Sequence, residues 1–198
     1  MTKAMIGIDL GGTNVKTAVV SREGEVMGKD SRPTDADQGL EAVLDKMVEG
    51  VDAALQAAKV RRADVLAAGI GAPGPMNWQT GVVFAPPNLP GWKDVPLARL
   101  MRERLQIPVY VDNDANVACY GEFWLGVGRN VDSMVLLTLG TGVGGGIVLM
   151  GQLLRGPDGT AGEIGHLCVK RDGRQCNCGA KGCLEQYASV SGMLKTAR

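Results

Sequence analysis

Three thiols fall within eight residues at Cys176-Asn177-Cys178-Gly179-Ala180-Lys181-Gly182-Cys183, and the only histidine of the chain, His166, lies ten residues upstream. That is a Cys3His donor set, of the number and type suited to a tetrahedral zinc ion. Gly179 and Gly182 permit the sharp turns that let closely spaced thiolates converge. Four protein ligands close such a site to water, so the ion would organise structure rather than activate a nucleophile. Reactive thiols and a disulfide are the competing readings. Five cysteines without an export signal, and no catalytic partner nearby, argue against both. Cys119 and Cys168 stand apart and read as buried small apolar residues.

Two glycine-rich segments carry a second kind of chemistry. Asp9-Leu10-Gly11-Gly12-Thr13 and Gly140-Thr141-Gly142-Val143-Gly144-Gly145 place small residues where a polyphosphate can approach the backbone, and each adds a threonine hydroxyl. The second matches G-x-G-x-x-G, but a dinucleotide fingerprint needs a helix after the glycines and the pattern here predicts a strand. No G-x-x-x-x-G-K-[ST] element occurs. A tight hairpin requiring positive φ explains either turn taken alone. Two such turns, each with a threonine, favour phosphate.

Phosphoryl transfer to an alcohol needs one group to take the hydroxyl proton and others to hold the reactants. Asp112-Asn113-Asp114 lies where a helix is predicted to begin, and amide dipoles there keep a carboxylate ionised. The same residues are ordinary helix caps, and spacing alone favours the cap. A polyol is discriminated by paired hydroxyls, for which Asn88, Glu163 and Glu185 offer donors and acceptors.

The elements that must position these groups follow from periodicity. Ala4 to Asp9 and Val15 to Val20 read as strands joined by the first glycine turn. Apolar residues from Leu40 to Leu55 recur at helical spacing, introduced by Asp35 and Asp37. Val65 to Ile70 returns to strand. Gly71 to Trp92 is a Gly/Pro/Asn-rich ordered loop that Phe84 and Trp92 would bury. A helix over Leu97 to Leu105 leads through Pro108 into Val109-Tyr110-Val111, and the next helix starts near Asn113 or Asp114 and runs to Trp124. Strands at Met134 to Leu139 and Gly146 to Met150 flank the second turn. The recurrence of strand, glycine turn and strand suggests two related lobes, 1–112 and 113–198.

With 198 residues, 45% apolar, 21% charged and zero formal net charge, the chain is long and apolar enough for one to two small globular domains. Balanced charge offers no basic footprint for nucleic acid or anionic lipid, and no apolar run is long enough to span a bilayer. The N-terminus reads as neither a secretory nor a transit segment. A cytoplasmic protein with small-molecule partners is expected.

D-x-G-G-T-x-x-K at Asp9 to Lys16 and L-G-T-G-V-G-G-G-I at Leu139 to Ile147 resemble the two phosphate elements of actin-like sugar kinases, and more narrowly those of the ROK family of bacterial kinases and repressors. The resemblance runs from Met5 to the serines near Ser191. It implies an α/β, RNase H-like two-lobe fold, with ATP phosphates held by Asp9, Gly11, Gly12, Thr13, Lys16, Gly140, Thr141 and Gly142, and hydrated Mg2+ by Asp9. Asn113-Asp114-Ala115-Asn116 resembles the family's N-D-x-N segment, which implies that Asp114 is the catalytic base and Asn113 a sugar ligand. Gly74, Asn88, Glu163 and Glu185 map onto further sugar contacts. His166, Cys176, Cys178 and Cys183 match the elements that bind a structural Zn2+ and hold the sugar-binding segment, with the second ring nitrogen of His166 facing a sugar hydroxyl.

The implied reaction converts ATP and a hexose to hexose 6-phosphate and ADP. The stretch from Glu163 to Tyr187 resembles glucokinases most, although fructose, N-acetylmannosamine and allose kinases share most of these residues. Repressors of the family carry a helix-turn-helix before the first phosphate motif, and only eight residues precede Asp9 here, so an enzyme is expected over a repressor or a non-catalytic sugar sensor. Kinases of the family continue beyond the segment matching Ser189 to Arg198. An incomplete second lobe is therefore expected, with homodimerisation when full length.

Overall fold

The computed structural model describes residues 3–197. Its contacts divide the chain into two compact units, separated between Asp114 and Ala115.

The first unit is built on one mixed sheet. β1 (Ala4–Leu10) alternates buried Ala4, Ile6, Ile8 and Leu10 with more exposed residues, the period of a strand with one covered face. It pairs antiparallel with β2 (Asn14–Val20), from Met5 opposite Val20 to Leu10 opposite Val15. β3 (Val26–Pro33) extends the sheet beyond β2. On the other side of β1, β4 (Val65–Ala72) and then β7 (Val109–Asn113) pair in parallel, giving the order β3-β2-β1-β4-β7.

α1 (Leu40–Ala58) buries the stripe Val43, Leu44, Met47, Val51, Ala54 and Leu55 and packs on β2 and β3. Gly28 makes that approach possible, because a Cβ there would collide with the Ala54 carbonyl and the Ala58 backbone. Asp35 and Asp37 do not cap this helix. A 3-10 turn at Ala36–Gln38 intervenes, the N-cap is Gly39, and the Asp35 carboxylate instead lies 3.6 Å from Lys46 Nζ.

The loop after β4 contains β5 (Met76–Asn77) and β6 (Val82–Val83) and is pinned to the core by Met76, Val83, Leu89, Trp92 and Val95. Phe84 departs from expectation, being 39% exposed. Its backbone is fixed by an N–H donated to Pro75 O and a carbonyl accepting from Asp94 N, so the position is held by the main chain and not by the ring. α2 (Leu97–Leu105) buries Leu97, Ala98, Met101 and Leu105 before the chain enters β7.

The second unit follows from α3 (Asp114–Trp124), whose first residue closes the first unit. β8 (Met134–Leu139), β9 (Val143–Leu149) and β10 (Gln152–Leu153) form a sheet in the order β10-β9-β8. A 3-10 turn at Ile164–His166 precedes the cysteine segment, which leads to α4 (Glu185–Ala188) and α5 (Val190–Ala197). β9 begins at Val143, three residues before the expected Gly146. Gly144, Gly145 and Gly146 are therefore strand residues, and packing explains them. A Cβ at Gly144 would lie 3.0 Å from Ala115 Cβ, one at Gly146 would lie 2.8 Å from Ala115 O, and Gly145 and Gly162 each block a side chain at the other. Among the described residues no helix is long and apolar enough to cross a membrane.

Candidate functional site

In the first unit, Gly11, Gly12 and Thr13 link β1 to β2, with the Gly11 N–H donating to Asn14 O at 3.0 Å. Thr34, fully buried, holds the turn from behind. Its hydroxyl donates to Gly11 O at 2.6 Å and its N–H to Thr13 O at 2.9 Å. Neither glycine has positive φ, so hairpin geometry does not require them. Gly12 is required by its neighbour, since a Cβ there would lie 2.8 Å from Asn88 Cβ and 2.9 Å from Asn88 O. The structure thus brings Asn88 onto the first turn. Asp9 and Lys16 are register partners across the hairpin, Oδ2 to Nζ 3.7 Å, both largely exposed.

β7 runs through Asn113 and α3 begins at Asp114 with no intervening loop. Pairing of Gly71 with Asp112 and Ala72 with Asn113 carries Gly74 to the same end of the sheet, where a Cβ on Gly74 would lie 3.4 Å from Asn113 Nδ2. The Asn113 N–H donates to Asp112 Oδ1 at 2.8 Å. Asp114 is exposed at the first turn of α3.

In the second unit, one donor atom from each of His166, Cys176, Cys178 and Cys183 lies within 4.8 Å of every other. His166 Nδ1 is 3.7 Å from Cys176 Sγ, and Cys178 Sγ is 3.6 Å from Cys183 Sγ. A tetrahedral zinc ion bound at about 2.3 Å to sulfur and about 2.0 Å to nitrogen separates its donors by roughly 3.5 to 3.8 Å, so these residues fit the ion. Gly179 and Gly182, at φ 93° and 76°, make the turns between the thiols. Burial, reinforced by the neighbouring sulfurs, pushes the Cys183 thiol up to about 12, whereas the Ala180 backbone bond and then Cys176 lower that of Cys178. The second ring nitrogen of His166 lies 3.8 Å from Glu163 Oε2, the carboxylate partner that orients many metal-binding imidazoles.

Cys119 is buried, but Cys168 is exposed, contrary to expectation. The reason is a bridge pairing with Cys183 that leaves the Cys168 side chain outside, over Gly182. Arg174 was not signalled by the sequence. Its guanidinium donates to Gln186 O, Gly192 O and Thr196 Oγ1 at 2.8 to 3.1 Å and stacks 4.9 Å from the Tyr187 ring centre, tying the cysteine segment to α4 and α5.

The second turn is Gly140, Thr141 and Gly142, closed by the Gly140 N–H donating to Gly142 O at 3.0 Å. The Val143 N–H donates to Glu185 Oε2 at 3.1 Å, and a Cβ on Gly142 would collide with that same oxygen. Glu185 therefore sits on the second turn, as Asn88 sits on the first.

The family model described as "ROK family" matches residues 5–198. The chain belongs to the ROK family. This ROK chain is 42% identical over 193 residues to a glucokinase of Halalkalibacterium halodurans, covering 97% of the chain and 58% of that relative. It is 33% identical to the xylose repressor of Caldicellulosiruptor bescii, covering 98% and 49%. A solved ROK glucokinase of Streptomyces griseus, in complex with glucose and AMPPNP, superposes with a TM-score of 0.85 at 38% identity, covering 98% of the chain and 60% of that structure. The fold is thus the mixed α/β, actin-like architecture of the ROK kinases. The chain spans about three-fifths of the length of the curated glucokinases it matches.

Proposed function

We propose that this chain carries the phosphate, sugar and zinc elements of an ATP-dependent hexokinase, with glucose as the preferred acceptor and Asp114 as general base. The observation that carries the reading is Asp114 itself, an exposed carboxylate at the first turn of α3, directly after Asn113, whose side-chain amide lies by Gly74, in a chain 42% identical to a glucokinase. In the reaction the primary hydroxyl oxygen attacks the γ-phosphorus, Asp114 takes the hydroxyl proton, and the bond to the bridging oxygen breaks to release ADP. Asn88 and Asn113 of the first unit, and Glu163, His166 and Glu185 of the second, offer donors and acceptors suited to sugar hydroxyls.

Gly140 supports the nucleotide half of the reading. Its φ is not positive and a Cβ on it would meet nothing within 4 Å, so neither backbone nor packing demands glycine, and close approach of a phosphate does. Asp9, exposed beside Lys16 at the end of β1, suits a hydrated Mg2+, which would neutralise charge on the transferring phosphoryl group. The Cys3His cluster suits a structural Zn2+, and the reduced thiols it needs fit a cytoplasmic protein.

The test is ADP release by the zinc-loaded protein with glucose, fructose, mannose and N-acetylmannosamine, against Asp114→Asn. Turnover on glucose that falls at least about a thousandfold in the variant is expected, the scale of lost general-base catalysis. Turnover on another hexose alone moves the substrate. The xylose repressor relative favours one further reading, a sugar sensor, and saturable hexose binding without ADP release would establish it in place of the kinase.

A further inference from the structure

The segment that follows the last zinc ligand grips the second glycine turn at two points. At one end the Val143 N–H donates to Glu185 Oε2 at 3.1 Å, and at the other the Val190 N–H donates to Gly140 O at 3.0 Å. Gly142 lies between, and its lack of a side chain admits the Glu185 carboxylate. The start of this segment is set by the metal cluster. The Gln186 N–H donates to Cys183 O at 3.0 Å, and the Leu184 N–H to Leu167 O at 2.9 Å, beside His166. A cluster that orients Cys183 and His166 therefore orients Glu185.

A carboxylate placed next to a phosphate site is electrostatically unfavourable unless its acceptor oxygens are needed there. A carboxylate has two oxygens and about four acceptor positions. Here Oε2 holds the turn amide, which leaves Oε1 to accept from a sugar hydroxyl.

We propose that Glu185 is a positioning residue for the second glycine turn, so that the zinc-bearing segment shapes the nucleotide site as well as the sugar site and couples the two through one carboxylate. The ligand in this proposal rests on the kinase reading; the brace on the turn does not. Reciprocity follows, since a sugar that fixes Glu185 tightens nucleotide binding by the same factor as nucleotide tightens sugar binding.

The experiment compares wild type, Glu185→Ala and Glu185→Gln, all zinc-loaded, by amide hydrogen exchange at Val143 and by AMPPNP binding with and without glucose. Glu185→Ala is expected to speed Val143 exchange and to weaken AMPPNP binding without sugar, each by roughly tenfold, an ordinary size for coupling between sites. Glu185→Gln keeps an acceptor and is expected to restore both. Chelating the zinc should reproduce the alanine effect at Val143. Unchanged Val143 exchange in Glu185→Ala would overturn the proposal and leave Glu185 a sugar ligand only, and so would AMPPNP binding that is unaffected while exchange rises. If wild type binds no AMPPNP at all, the kinase reading falls, and Val143 exchange still decides the brace. An unfolded Glu185→Ala leaves Glu185→Gln, in which loss of Val143 protection would refute a role satisfied by any acceptor.

Discussion

The two glycine turns are equal in length, three residues each between antiparallel strands, yet they are held in opposite ways. The first is braced on its carbonyls, by the hydroxyl and amide of buried Thr34 donating to Gly11 and Thr13. The second is braced partly on an amide, by the Glu185 carboxylate accepting from Val143. A phosphate cradle works through its donors. Satisfying the carbonyls from behind, with a neutral group inside the core, leaves the first turn set at all times. If the Cys3His cluster holds zinc as proposed, occupying a donor with a charged group carried on the segment that follows it makes the second turn conditional on the metal. Similar sequence patterns thus give two turns held in different ways, which on the proposed reading makes one fixed and one adjustable.

The largest break in that comparison is expected from removing the proposed zinc from the zinc-loaded protein. In small metal-dependent units, metal binding energy is folding energy, so chelation is expected to cost the second unit a few kcal/mol, roughly 10 °C or more in melting temperature for a unit of this size. Segment-resolved hydrogen exchange should show protection lost over residues 140–190 and kept over 4–34; equal loss in both would deny that the first turn is independent. The pH sign is also fixed. The Cys183 thiol, pushed up to about 12 by burial, is protonated at neutral pH in the metal-free chain, so the ion must displace that proton. Apparent zinc affinity should rise with pH and each binding event should release protons, measurable by titration in buffers of different ionisation heat.

Next in size is Gly12→Ala. The new methyl would meet the Asn88 backbone carbonyl at 2.9 Å and Asn88 Cβ at 2.8 Å, and neither is the free end of a flexible side chain. Overpacking of this kind costs about 1 to 3 kcal/mol. A urea midpoint shifted by less than the equivalent of about 0.5 kcal/mol would mean that the sugar loop yields easily and that the first turn is not fixed after all.

What the sequence disclosed about these two regions depended on how local the cause was. The Cys3His set was legible because eight residues of thiol spacing and a single histidine nearly determine it, and its possible donor atoms converge in the structure. The β1–β2 hairpin and the α1 stripe were legible because burial imposes a period. β3 was missed, since Val-Met-Gly-Lys-Asp-Ser-Arg-Pro has no fully buried residue and owes its form to pairing with β2. Gly144 and Gly145 read as turn residues because sequence does not distinguish a glycine needed for its dihedrals from one needed by a neighbour packed against it. Thr34 and Glu185 act on residues 23 and 42 positions away, and Cys168 is exposed through a bridge to Cys183. No local pattern encodes such contacts.

Gly142→Ala is the smallest expected change in stability and the sharpest probe of the difference between the turns. Its methyl collides with Glu185 Oε2, the far end of a side chain that can rotate away, so the cost should stay under about 1 kcal/mol, well below that of Gly12→Ala. The displacement nevertheless removes the acceptor from the Val143 N–H while leaving a carboxylate at position 185. Val143 exchange should therefore accelerate as in Glu185→Ala, although stability hardly moves. The matched substitution at Gly12 should do the reverse, costing stability while leaving the Thr34 bonds, and hence protection at Thr34, in place. If both alanines cost the same and neither changes exchange at its own turn, the two turns are held alike, and the division into a fixed and a conditional phosphate element fails.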